Sequence, residues 1–405
     1  MKKIDDARFL SGLIFLAALL AGCAGQREKP PKWPTVLRGA ALPLEIPLSS
    51  VARITFMPQY ELFHDSGTPW GAGMAFGPLW RHDLPDGSIL RGVTVGGDGD
   101  VLVAVGVKDS FSRAVLRRLD ASGRTVSTAT IAADFDSLTA GDFGGHPALI
   151  AQSNYGLEIL SPDGSPVWHP AQTLQKAVLA DLKGDGRKAL VAAAPDYQGV
   201  VAAFAANGRR LWTRTGFDHV EGLAAGRFGR DRADTIVVFG SVKGVSHVSL
   251  LDGKGRVRSS FSDDSVPERG AVMATDGTAT FLVHVGSKYQ TTHTRVKVSR
   301  LESLSRTVTA EADAGRAQTS SLLLADLRGD GRKEIVLGMD NGWVLIYDSD
   351  ARFLAEKHFF GDIRYLAATG PDQDGRQELV VGIRALSPEV YACGIIPRAA
   401  AKAER

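Results

Sequence analysis

The sequence predicts an all-β fold, a β-propeller of seven four-stranded blades, with eight blades as the alternative. Short runs of aliphatic and β-branched residues alternate with turns rich in Asp, Asn and Gly, a pattern typical of antiparallel sheets. The pattern recurs with a mean spacing of about 46 residues, within the range expected of propeller blades. No long stretch shows the apolar periodicity of a helix.

The clearest repeat unit lies in residues 322–348. We predict three of its strands at Leu322–Ala325, Glu334–Gly338 and Trp343–Tyr347. A sheet of three or four strands cannot bury both of its faces alone, so it must pack against copies of itself. Further copies begin near residues 97, 139, 179, 223 and 366, with a degenerate one near residues 272–285. Together these make seven units.

A positively charged start and a short apolar run open the chain. Lys2 and Lys3 precede the run Phe9–Leu20, which is too short to span a bilayer comfortably. The run ends in a Leu-Ala-Gly-Cys sequence that resembles a bacterial lipobox, with Cys23 as its cysteine. The resemblance implies lipidation of Cys23 and, because Ala24 rather than an aspartate follows, sorting to the outer membrane. The alternatives are an ordinary signal peptide that carries a cysteine, or an anchor helix.

These features divide the chain into four predicted segments. They are a lipoprotein signal peptide at residues 1–22, a lipid-anchored cysteine and linker at 23–40, the β-propeller at 41–397 and a disordered tail at 398–405. The linker is polar and rich in proline, as expected of an extended tether. The lipid on Cys23 is therefore the predicted contact with the membrane.

Charge and cysteine content exclude some functions. The 47 basic and 45 acidic residues give a net charge of only +2, so we expect no nucleic-acid partner. Of the two cysteines, Cys393 is alone in the mature chain if Cys23 is lipidated, which leaves no intramolecular disulfide. We expect Cys393 to be an inert thiol buried in a strand.

The second half of several repeats ends in a turn followed by a tryptophan. The form Asp/Asn-Gly-x-x-aliphatic-Trp leads to Trp168 and Trp212, and a near match leads to Trp70. Asp-Gly and Asn-Gly tolerate positive φ and are strong hairpin signals. We expect these tryptophans to open the outer strand and to pack against the adjoining blade, an aromatic shelf for a ligand being the alternative. Val126 and Val257 fill the same place in other repeats.

Two schemes close the predicted ring. In the first, the hairpin Tyr60–Trp70 adds outer strand material to the blade at residues 365–396, which removes exposed sheet edges. In the second, residues 44–80 form an eighth blade. The segment Gly71–Leu84 fits neither scheme.

The Ala-Asp-Leu-x-Gly-Asp-Gly-Arg units resemble the FG-GAP (VCBS-type) repeats of integrin-like propellers. The Asn-Gly-x-x-Leu-Trp ends are similar to the tryptophan-docked blades of quinoprotein-like propellers. FG-GAP repeats typically carry a calcium loop, so the resemblance implies calcium as the one candidate cofactor. The candidate ligands are Asp326, Asp330 and Glu334 in one unit, and Asp372, Asp374 and Glu378 in another.

Both loops depart from the calcium pattern. Arg328 occupies the second ligand place of one loop, and Gly370 occupies the first place of the other. A third unit has Asp181 and Asp185, with Lys183 at its second place. In the alternative interpretation the cations pair with the aspartates and hold the turns, and no cofactor is bound.

No catalytic constellation emerges from the sequence. It contains no Gly-x-Ser-x-Gly, His-Glu-x-x-His or phosphate-cradling motif, and its nine histidines lack paired spacing. We therefore expect a non-catalytic binding or scaffold module for an envelope protein or a surface glycan, on the periplasmic face or the cell surface. The alternatives are an enzyme on a propeller scaffold, either a quinoprotein-type dehydrogenase or a carbohydrate-active enzyme, and an outer-membrane assembly factor.

Overall fold

The computed structural model describes residues 74–397, apart from residues 86, 107–112, 196–197, 229–230, 276–278, 289–293, 303–304, 316 and 386–387. The described residues form strands β1 to β28 and no α-helix. The strands make seven four-stranded antiparallel sheets. The predicted all-β propeller with seven blades is thus confirmed.

Six blades are meanders whose strands follow one another in the chain. Blade 1 consists of β2 (Ile89–Val95), β3 (Val101–Gly106), β4 (Ala114–Leu119) and β5 (Thr125–Ile131). Blade 2 consists of β6 (Ser137–Phe143), β7 (His146–Gln152), β8 (Leu157–Leu160) and β9 (Pro166–Trp168). Blade 3 consists of β10 (Ala177–Ala180), β11 (Ala189–Ala193), β12 (Val201–Phe204) and β13 (Arg210–Arg214).

The next three blades have the same order of strands. Blade 4 consists of β14 (His219–Arg227), β15 (Asp234–Val242), β16 (Val245–Leu251) and β17 (Val257–Ser262). Blade 5, the degenerate unit, consists of β18 (Ser265–Thr275), β19 (Ala279–Lys288), β20 (Thr294–Glu302) and β21 (Ser305–Gly315). Blade 6 consists of β22 (Thr319–Ala325), β23 (Glu334–Met339), β24 (Trp343–Tyr347) and β25 (Phe353–His358).

Blade 7 joins the two ends of the described chain. Its inner strands are β26 (Asp362–Ala368), β27 (Leu379–Arg384) and β28 (Glu389–Pro397), and its outer strand is β1 (Met74–Asp83). The ring therefore closes as predicted, by pairing an N-terminal strand with the C-terminal blade. The closing strand is β1, however, which comes from the segment that fitted neither scheme. The hairpin Tyr60–Trp70, with Trp70, lies outside the described residues. Since residues 74–80 belong to blade 7, the eighth blade from residues 44–80 was wrong.

The first strands of the blades surround the axis. Each of β2, β6, β10, β14, β18 and β22 contacts the first strand of the next blade, and β26 contacts β2. Because the strands of a blade alternate in direction, the turns after first and third strands lie at one end of the ring, here called the turn face. The turns after second strands and the links between blades lie at the opposite end, here called the link face.

The second strands are buried on both sides. Every residue of β3, β11 and β23 is buried, because each of these strands is covered by the two neighbouring blades. Cys393 on β28 is also buried and free, and burial raises the pKa of its thiol to about 11. The apolar core thus lies between the blades, as expected when no blade can bury both faces alone.

Tryptophans on three outer strands fill gaps between blades. Trp168 lies over Gly208 and Trp212 lies over Gly255, in the last turn of the following blade. Both glycines have positive φ, and a Cβ on them would come within 2.4 and 2.7 Å of the indoles. Trp80 of β1 lies over Gly123 of blade 1 in the same way.

A bulge sets the register of these outer strands. It falls just before Trp80, Trp168 and Trp212. In blades 1 and 4 the same register places Ser127 and Ser259 at the tryptophan position. The prediction of Val126 and Val257 there was wrong. The fourth residue after the turn glycine is Trp168 or Trp212 in blades 2 and 3, and the same count gives Ser127 and Ser259 in blades 1 and 4.

Candidate functional site

The Asp-Gly loop of blade 6 is closed by its own backbone amides. The Asp326 carboxylate accepts N–H donors from Gly329, Asp330 and Gly331 at 2.8, 3.1 and 2.8 Å. Asp181 of blade 3 accepts four amides of its own loop. Burial disfavours the charged Asp181 carboxylate, but these donors outweigh it and hold its pKa below the usual range.

The remaining two predicted ligands of blade 6 are held by an arginine. Glu334 is buried and accepts from the Leu327 amide at 2.8 Å and from the Arg328 guanidinium at 2.7 Å. Arg328 also pairs with Asp330 at 3.2 Å. Burial raises the pKa of Glu334, against the opposing effect of Arg328. Because N–H donors engage these oxygens, the arrangement does not fit a calcium ion, and calcium binding stays an untested prediction.

The loop of blade 7 is also closed by backbone amides, but around Asp372, because Gly370 stands at the place of Asp326. Asp372 accepts the amides of Asp374 and Arg376, both at 2.8 Å. Glu378 is half-buried, and burial together with the charge of Asp372 raises its pKa. Within the part of the chain that the structure describes, no group of three or more His, Cys, Asp or Glu residues could hold a metal ion.

These loops also join neighbouring blades at the turn face. The Asp181 amide donates to the Asp234 carboxylate at 2.7 Å, and the Asp234 amide donates to the Asp181 carbonyl at 2.7 Å. Asp326 and Gln377 make the equivalent reciprocal pair at 2.9 and 2.8 Å. The geometry thus makes the Asp-Gly loops interblade clamps, between blades 3 and 4 and between blades 6 and 7.

The link face has a different construction around the axis. Five of the described first strands contain a bulge near their start, at Arg91, Glu221, Glu268, Ser320 and Arg364. All five residues are polar or charged. Bulges redirect side chains and are enriched next to functional sites. The axis is therefore bordered at this face by polar positions.

Side chains at or beside the starts of the first strands bond to the backbone at the start of the next blade, in a set here called the axial girdle. Its donors and acceptor carbonyls are Arg91 and Phe135 at 3.4 Å, Lys176 and Val220 at 2.6 Å, Arg269 and Thr319 at 3.0 Å, Ser321 and Ile363 at 3.0 Å, and Tyr365 and Leu90 at 3.2 Å. The Tyr365 hydroxyl also reaches the Asp136 carbonyl of blade 2 at 2.7 Å. One side chain of blade 7 thus contacts blades 1 and 2.

Two aromatic side chains project from the link face. Tyr155, in the turn between β7 and β8, is 81% exposed, and Phe360, in the link from blade 6 to blade 7, is 71% exposed. The Phe360 ring meets His358 edge-on at 5.7 Å, and His358 meets Trp343 at 4.9 Å. Burial lowers the pKa of His358. Exposed aromatics on a rigid support are typical of interaction surfaces.

A buried charge cluster lies between blades 4 and 5. Asp263, in the link between them, is 1% exposed and contacts Lys297 at 2.7 Å, Arg306 at 2.7 Å and His284 at 3.2 Å. Lys297 also contacts Asp264, which is 67% exposed. Burial lowers the pKa of His284, so its imidazole is neutral at pH 7. Burial alone would lower the pKa of Lys297, but its bonds to the two aspartates raise it.

A cleft of about 710 Å³ opens beside this cluster. Its walls include Ser260 and Ser262 of β17 and Arg306 of β21, with Lys297 and Asp264 at its polar side. Sequence reasoning missed this site, because it treated the histidines as scattered. The available signal was charge inside strand patterns, since Lys297 alternates with valines along β20.

No family model and no curated protein match the chain. A solved structure does: the WD40 domain of coronin from Toxoplasma gondii is 13% identical, with a TM-score of 0.56, over 81% of this chain and 88% of that chain. At this identity the likeness shows the fold alone, a seven-bladed β-propeller. The FG-GAP resemblance stays a prediction. None of the described residues lies in a helix with the length and apolar character of a membrane span.

Proposed function

We propose that the protein is a non-catalytic binding module whose link face recognises a protein of the bacterial envelope. In this proposal the lipid on Cys23 tethers the propeller to the outer membrane. The observation that carries it is the exposure of Tyr155 and Phe360 on one face of a rigid ring. Aromatic side chains supply much of the energy of protein interfaces once a partner buries them, so these two residues offer anchor points for a partner.

The surroundings of these aromatics support recognition over catalysis. The axial girdle commits Lys176, Arg269 and Tyr365 to backbone carbonyls. Asp362, beside Phe360, accepts the Ser320 hydroxyl at 2.5 Å. Side chains tied in this way keep a surface rigid, which lowers the entropy lost on binding.

Differential capture tests the proposal. The purified protein is immobilised and exposed to detergent-solubilised envelope proteins, alongside Tyr155→Ala/Phe360→Ala and a control, Val167→Ala. Val167 is 58% exposed but lies on the outer strand β9, away from the link face. We expect a partner retained by wild type and by the control and lost by the double variant. Equal capture by all three, or capture of a polysaccharide only, would contradict a protein-binding link face.

The tether is tested separately. Metabolic labelling with a palmitate analogue is expected to mark the wild-type protein and to miss Cys23→Ala, which should leave the membrane fraction. Protease treatment of intact cells then distinguishes a periplasmic from a surface-exposed propeller. Labelling of Cys23→Ala, or a membrane-bound unlabelled wild type, would contradict the anchor and leave the binding face untouched.

A further inference from the structure

Among the described residues, the outer strand of blade 4 lacks the tryptophan that packs against the following blade at three other junctions. Trp80, Trp168 and Trp212 each cover a turn glycine of the following blade. At the same register position the outer strand of blade 4 carries Ser259, so this strand contributes no indole to the junction. The 710 Å³ cleft lies beside this position, lined by the next residues of that strand. A volume of this size accommodates a small organic molecule.

The polar side of the cleft is built from charges that are costly to bury. Lys297 and Arg306 are 5% and 7% exposed, and both contact the buried carboxylate of Asp263. Removing two charges from water is repaid only when partners with good geometry replace the solvent. One buried carboxylate is shared by two cations, and the described residues supply the second negative charge from Asp264 at the surface.

Asp264 differs from Asp263 in a way that matters for binding. It is 67% exposed and reaches the buried Lys297 ammonium from the solvent side of the cleft. An exposed carboxylate contributes little to such a pair, since water competes for it and its side chain must be immobilised. Another carboxylate that enters the cleft can replace it without leaving a buried charge uncompensated.

We propose that the cleft between blades 4 and 5 binds a small organic acid, whose carboxylate displaces Asp264 from Lys297 and bonds to Lys297 and Arg306. A guanidinium and an ammonium are suited to a carboxylate, the first through paired N–H donors and the second as a point charge. The hydroxyls of Ser260 and Ser262 line the same cleft and supply polar contacts beyond the carboxylate. The site is separate from the aromatic residues of the link face.

Titration calorimetry of the purified protein with succinate tests this. We expect saturable binding by wild type and, because the competing carboxylate is gone, about three- to tenfold tighter binding by Asp264→Asn. Glu311→Gln is the matched control: it removes one exposed carboxylate that pairs with Arg295 on the same blade, outside the residues that line the cleft. Its affinity for succinate should equal that of wild type.

A variant that keeps the buried charges paired locates the site. Lys297→Gln removes one cation and leaves the Asp263 carboxylate paired with Arg306 at 2.7 Å, so it is expected to fold and to bind succinate at least about tenfold more weakly. Succinamide, which is uncharged, should not bind. The proposal is overturned if succinate does not bind saturably, if Asp264→Asn binds no tighter than Glu311→Gln, or if folded Lys297→Gln retains wild-type affinity. Equal affinity for inorganic phosphate would overturn carboxylate recognition in favour of a general anion site.

Discussion

Replacement of Tyr365 by phenylalanine measures how much the axial girdle stabilises the ring. Tyr365 is buried, and its hydroxyl lies 2.7 Å from the Asp136 carbonyl and 3.2 Å from the Leu90 carbonyl. Phenylalanine keeps the ring and its packing, so the change removes only the hydroxyl. Loss of the bond, with a buried carbonyl left unsatisfied, is expected to cost about 2 kcal/mol. With a urea dependence of about 3 kcal/mol per M, the midpoint falls by about 0.7 M.

Urea unfolding followed by tryptophan fluorescence is the assay, and Tyr155→Phe is the control. Tyr155 lies in solvent, so loss of its hydroxyl should change the free energy of unfolding by less than about 0.5 kcal/mol. If Tyr365→Phe unfolds at the same urea concentration as Tyr155→Phe, the hydroxyl does not tie blade 7 to blades 1 and 2. The stabilising role of the axial girdle would then be refuted at this position.

Three further perturbations test other parts of the structure. Trp212→Ala empties a blade junction and removes the Nε1–H bond to the Gly253 carbonyl at 3.0 Å, so thermal or urea unfolding should show a loss of about 3 kcal/mol. Burial raises the pKa of Glu356 from 4.5 to about 7, which means that the folded state binds the proton more tightly and loses stability as pH rises between these values. After a discount for the partial exposure of Glu356, the free energy of unfolding of Glu356→Gln should exceed that of wild type by about 2 kcal/mol at pH 8 and should equal it at pH 4. Equal gains at both pH values would contradict the effect of burial on this carboxyl. Because backbone amides engage Asp326, EGTA or added calcium should move the melting temperature by less than about 1 °C, and a larger calcium-dependent shift would restore the calcium assignment.

The repeat pattern was readable because it depends on local chemistry. Strand β24 begins and ends at the predicted residues, Trp343 and Tyr347. Its flanking turns are marked by Asp, Asn and Gly, whose preference for tight turns acts within a few residues. The candidate site was less readable. Tyr155 and Phe360 belong to different blades, and only the closed ring places both on the link face.

The tryptophan position in blades 1 and 4 was assigned to the wrong residues. The bulge is the same in these outer strands as in blades 2 and 3, so the spacing from the turn glycine gives the position in each of them. Apolar character favoured the valines, whereas the spacing gives Ser127 and Ser259. The position of Ser259 matters, because the cleft beside the buried charges of Asp263, Lys297 and Arg306 begins at the next residue of the same strand.

The sequence by itself determined that this protein is a ring of similar sheets, because period, turn residues and apolar alternation all act over short distances along the chain. Only the tertiary structure decided how the ring closes and where its polar sites lie. Strand β1 pairs with β28, although the two strands lie at opposite ends of the described chain. Their side chains also meet, since Arg81 donates to Glu389, 308 positions further along the chain. The Asp263 cluster likewise draws its two cations and the neutral His284 imidazole from three different strands of blade 5. Such contacts depend on strand register and blade packing, and sequences with the same periodicity can differ in both.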